Sequence, residues 1–127
     1  MTQSFDPRRG PIEVLAEVSG PLGPAFLRLV LDTGATQSLV RDRVLASIGY
    51  DPPSSKDWVQ VAMGNGVEIV PRIVVNRFTA FGIHRIGFPL LARALPPEAG
   101  VDGLLGLDFL RGHVLTLDFR TGVLTLA

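Results

Sequence analysis

An apolar run, Leu29-Val30-Leu31, ends on the acid Asp32 and is followed by Thr33, Gly34 and Ala35. A carboxylate leaving a buried strand is costly unless it is hydrogen-bonded, paired or protonated, so this position calls for a partner. Thr33 can lock the turn through its hydroxyl, and Gly34 lets a backbone or a substrate approach closely. Taken alone, Asp-Thr-Gly is no more than a turn. A second segment, Val101–Leu110, places Leu104 and Leu105 ahead of Gly106 and carries two further acids, Asp102 and Asp108. Asp102 stands before Gly103 and imitates the first loop, but without a hydroxyl residue between acid and glycine it reads as structural.

The elements that must hold these residues are mostly strands, because short apolar or alternating runs are separated by closely spaced Gly and Pro. The pattern predicts strands at Ile12–Val18, Ala25–Leu31, Trp58–Met63, Val67–Val75, Phe78–Ile83, Ile86–Ala92, His113–Phe119 and Val123–Leu126. Gly20–Pro24 and Phe119–Val123 read as turns, since clustered Gly and Pro cannot lie inside a strand. Helix is confined to Arg41–Ile48, where Val44, Leu45 and Ile48 share a face, and to a turn or two at Asp108–Arg111. Residues 1–10 read as an extended N-terminal arm, 11–127 as one domain, and Pro52–Asp57 as a surface loop.

Composition removes several kinds of function. The 127 residues, 46% hydrophobic, suffice for one core and one site. Lys plus Arg and Asp plus Glu number 12 each, and no basic block marks a nucleic-acid or anionic-lipid surface, so no nucleic-acid partner is expected. The chain has no cysteine, which excludes thiolate chemistry and Cys-based zinc sites. His84 and His113 lie far apart and read as ordinary polar residues, so neither metal nor cofactor is expected. Arg28 interrupts the longest apolar run, and Met1–Pro11 lacks the apolar core of a signal peptide. As it stands the chain carries no membrane segment and is expected to be cytoplasmic; a lost N-terminal segment would make it membrane-anchored or periplasmic.

Val30-Leu31-Asp32-Thr33-Gly34-Ala35 followed by Leu104-Leu105-Gly106 and a helix resembles the retropepsin-like aspartic proteases, over roughly residues 12–126. The resemblance implies an all-β, single-lobe acid-protease barrel with a flap hairpin and one or two short helices. It implies that Asp32, Thr33 and Gly34 form the catalytic loop, and that Leu104-Leu105-Gly106 passes behind it. The flap falls on Trp58–Val70, with Met63, Gly64, Asn65 and Gly66 at its tip. Asn-Gly there favours a tight turn with both central residues at positive φ. Ala35 and the tip residues would contact substrate. Where many viral members carry an acid and an arginine, this chain has Thr36 and Leu107, as in the cellular and bacterial branch. One catalytic loop in a chain of one lobe's length implies a homodimer cutting a polypeptide between two Asp32 carboxylates. The alternative is a non-catalytic dimerisation or peptide-binding module on the same fold.

Overall fold

The computed structural model describes residues 1–127. The chain runs through β1 (Thr2–Ser4), β2 (Glu13–Gly20), β3 (Gly23–Leu31), β4 (Leu39–Arg41), α1 (Asp42–Ser47), β5 (Trp58–Met63), β6 (Gly66–Ala80) and β7 (Ile83–Arg93). It continues through β8 (Gly103–Leu105), α2 (Leu107–Leu110), β9 (Leu115–Asp118) and β10 (Val123–Leu126). The strands β2, β3, β8, β4, β7 and β6 are hydrogen-bonded in that order, and β6 returns to β2, which closes a barrel. Closure leaves the barrel no free edge. Beyond it, β5 pairs only with the first part of β6 and forms a projecting hairpin.

The expected all-β barrel with short helices is the fold observed. Several boundaries differ, for local reasons. Val67–Val75 and Phe78–Ile83 are not two strands; they lie largely within the single β6, which runs unbroken through Asn76 and Arg77. That polar pair, left between the two expected strands, is itself strand, and Arg77 pairs in register with both Ser19 and Ile86. The chain reverses later, at Phe81 and Gly82, whose φ values of 52° and 71° make both central residues of the turn left-handed. A buried phenylalanine is a poor sequence marker for such a turn. Within residues 1–10, Thr2–Ser4 pairs with β10 in a small sheet completed by β9, and residues 7–10 bend.

A cluster of 20 buried residues fills the barrel, centred on Phe78, Phe88 and Phe109. Phe78 stacks on Phe88 at 5.2 Å between centroids, and Phe109 meets both rings edge-on. Seated on this core, β8 threads between two strands, parallel to β3 and antiparallel to β4. Gly103 opens that passage, because a Cβ there would collide with the Leu39 carbonyl. No helix is long and apolar enough to cross a membrane. Replacing Gly103 with alanine should force β8 away from β4 and destabilise the fold by about 1–3 kcal/mol or more. An unchanged urea midpoint would show that the strands can absorb the methyl group.

Candidate active site

The loop after β3 is held from behind by backbone. The Asp32 amide donates to the Leu105 carbonyl at 2.9 Å, which carries the β3–β8 pairing one residue into the loop. The Ala35 amide then donates to the Asp32 carbonyl at 3.1 Å, closing a tight turn. The Gly34 amide donates to Asp32 Oδ1 at 2.9 Å and fixes the direction of the carboxylate. Gly34 leaves room for this, since a Cβ would lie 3.2 Å from the same oxygen. Thr33 is exposed, and its hydroxyl makes no hydrogen bond within the chain, so it does not lock the turn from inside.

Ser38 is the one fully buried polar residue, and it ties the two expected segments together. Its hydroxyl donates to Asp108 Oδ1 at 2.7 Å and accepts the Gly106 amide at 2.9 Å, while its own amide donates to Asp108 Oδ2 at 2.9 Å. Two more backbone bonds join the segments, from Leu107 to the Ala35 carbonyl and from Asp108 to the Thr36 carbonyl, at 2.8 and 3.1 Å. Gly106 must be a glycine, because a Cβ would stand 2.7 Å from the Ala35 carbonyl oxygen. Thr36 and Leu107 thus each take part in the main-chain bonds between the segments, Thr36 with Asp108 and Leu107 with Ala35. Asp102 is occupied elsewhere: its carboxylate accepts the Arg28 amide at 2.9 Å. Arg28 lies four residues before Asp32 on an extended strand, about 13 Å away. Asp102 is thus a fastening for β3.

Asp32, Gly34 and Ala35 line one side of a cleft of about 660 Å³. Val61, Met63 and Gly64 of the β5–β6 hairpin line the opposite side, and Leu91, Arg93 and Leu104 are among the residues of its walls. Catalytic-loop and hairpin residues expected from sequence are thereby brought to one cavity, although Thr33, Asn65 and Gly66 do not line it. The hairpin turn differs from the expected one. Met63 pairs with Gly66, so Gly64 and Asn65 are its central residues, and neither has positive φ. The left-handed position is Gly66, at 138°, where β6 begins. Sequence reasoning passed over Ser38, Arg93 and Glu68, the last of which pairs with Arg93. A serine among Leu39, Val40 and other buried residues was the available sign of an internal hydrogen-bond centre.

The sequence matches a family model described as aspartyl protease over residues 14–109. No curated protein matches it. Among solved structures it resembles a retropepsin-like aspartic protease from Rickettsia conorii, with a TM-score of 0.73 and 19% identity over 99% of this chain and 88% of that one. It also resembles EIAV protease complexed with the inhibitor HBY-793, with a TM-score of 0.63 and 17% identity over 86% and 92% of the two chains.

Ser38→Ala would strand the buried Gly106 amide and remove one donor from Asp108. The expected loss is about 1–3 kcal/mol of folding stability, read from urea unfolding. A loss below about 0.5 kcal/mol would show that the knot is dispensable to the fold.

Proposed function

The chain belongs to the aspartyl protease family, and from that premise we propose that it is an aspartic endopeptidase working as a homodimer. The observation that carries this reading is the Asp32 carboxylate, aimed by the Gly34 amide and set beside a cleft that the hairpin covers. Each chain supplies one such loop, so the second carboxylate comes from Asp32 of another copy across a twofold axis.

Two carboxylates brought that close share one proton, because both cannot ionise together. The ionised one takes a proton from water as the water oxygen bonds to the scissile carbonyl carbon. The protonated one donates to the carbonyl oxygen. The tetrahedral species then collapses: the carbon–nitrogen bond breaks, the departing amine takes the proton that the first carboxylate drew from water, and the proton on the former carbonyl oxygen returns to the second carboxylate. This chemistry calls for neither metal nor cofactor. The polypeptide lies extended between the floor, where Ala35 is placed, and the flap tip of Met63, Gly64, Asn65 and Gly66. Extended backbone supplies hydrogen bonds, and the apolar walls set side-chain preference.

Mixing wild-type chains with Asp32→Asn chains tests the shared site. The amide is nearly isosteric and carries no charge, so mixed dimers should assemble while lacking the proton to share. After verified subunit exchange, peptide cleavage should fall with the square of the wild-type fraction. A linear fall would place a complete catalyst within one chain. No cleavage of any peptide by the wild-type dimer would leave a binding module on the same fold.

A further inference from the structure

The β5–β6 hairpin is two-faced. Val59, Val61, Met63 and Val70 are half-buried or buried, whereas Trp58, Gln60, Val67 and Ile69 are exposed. The inward residues pack with Leu39, Leu91 and Leu95 in a small apolar cluster separate from the barrel core. Glu68 lies on this inward face, opposite Val61 in register, and is the one charged residue on it. An acid turned toward an apolar surface is costly unless a cation meets it. Arg93 meets it, its Nη2 and Nε donating to the two carboxylate oxygens at 2.6 and 3.2 Å.

The two residues join the hairpin to the barrel beside the cleft. Arg93 ends β7 and lines the cavity wall, while Glu68 comes two residues after Gly66, where the hairpin turns. We propose that Glu68 and Arg93 are positioning residues, forming a latch that holds the flap tip against the cleft wall and parts to admit a polypeptide. The proposal rests on the reading of the hairpin as a flap over substrate. At its root the hairpin is tied differently, through Arg72, which donates to Asp57 at 2.7 and 3.2 Å and to Gln37 at 3.3 Å. Between residues 62 and 68, the Arg93 fork is the only hydrogen-bonded tie to the barrel. The tip itself is unobstructed, with nothing near the Cβ positions of Gly64 and Gly66.

A latch must also open. The side chains of Arg93 and Glu68 remain 33% and 40% exposed, so water and salt reach the pair and keep it weak enough to break. The hydrogen bond from Arg93 is the main cause holding the Glu68 carboxyl below its ordinary range, and the same bond raises Arg93. A depressed carboxyl stays ionised as pH falls through the usual glutamate range, so the latch is lost only below it. Other charges nearby are engaged or separate. Arg41, beside Arg93 in register, donates to the carbonyls of Leu95, Pro96 and Val101. Asp42 shares a smaller groove with Arg93, Asp32 shares the cleft, Glu98 lies in the exposed turn after β7, and β5 carries no charge.

Amide hydrogen exchange of the full chain, read by mass spectrometry, tests the latch without requiring turnover. In Glu68→Gln, the amides of residues 59–67 should exchange about two- to fivefold faster, while those of β2 and β3 keep the wild-type rate. The exchanged pair Glu68→Arg with Arg93→Glu should restore most of the protection. Raising salt to 1 M should speed flap exchange in the wild type and leave Glu68→Gln unmoved. Flap exchange indifferent to Glu68, or faster exchange spread equally into β2 and β3, would overturn the latch. A chain that shows the expected exchange yet cleaves no peptide would keep the latch and remove the protease reading. A chain that cleaves with Glu68 irrelevant to its flap would do the reverse.

Discussion

The fold turns on the insertion of β8 between β3 and β4. The two strands that flank the Asp32 loop are held together by a third that arrives some 70 residues later, and Ser38 sits where all of them meet. A buried hydroxyl there is satisfied as both donor and acceptor, and the carboxylate it serves, Asp108, also receives the Ser38 and Phe109 amides. Such a network rigidifies because every member is paired; with one removed, the others become buried polar groups without partners. Asp32 inherits this rigidity through the Leu105 carbonyl, so its backbone is anchored to the core while the Gly34 amide aims the carboxylate.

The two sides of the cleft are built on opposite principles. The floor is fixed by backbone hydrogen bonds and by glycines, Gly103 and Gly106, at which a Cβ would collide with backbone, and it leaves Asp32 partly exposed. The hairpin rests on a thin apolar cluster and two partly exposed ion pairs, the kind of attachment that opens locally at little free-energy cost. A rigid acid beneath a yielding cover suits chemistry that needs an aligned proton and a substrate that must first get in.

Much of this was legible in the sequence. The apolar-apolar-Asp-Thr-Gly-Ala run and the later Leu-Leu-Gly carry their meaning locally, because each residue type answers a backbone demand within a few positions. Gly106 is an example: the crowding that requires it is severe, and the glycine is visible. The turn at Phe81–Gly82 was hidden because a buried aromatic occupies a left-handed position that sequence patterns assign to Asn, Asp or Gly. The flap turn was displaced by one residue for the converse reason, since Asn65-Gly66 has the composition of one turn type and the chain adopts another. Ser38, Glu68 and Arg93 act through partners 25 to 70 residues away, and no local pattern announces a pairing over such distances.

Symmetry sharpens what a single carboxylate per chain implies. If two copies meet about a twofold axis, every feature of the cleft occurs twice, including the latch and its guanidinium. The bare dimer then has no preferred direction, yet a polypeptide does. The balance would be broken only when a chain binds, because its scissile carbonyl would lie toward one side and decide which Asp32 keeps the proton. On the proposed mechanism two identical loops would serve as acid and base without any difference in their surroundings, and roles that unlike environments assign in other enzymes would be assigned by the substrate. The demand placed on each chain is correspondingly narrow. It must hold one carboxylate in a reproducible direction, and the buried knot around Ser38 is a device suited to that.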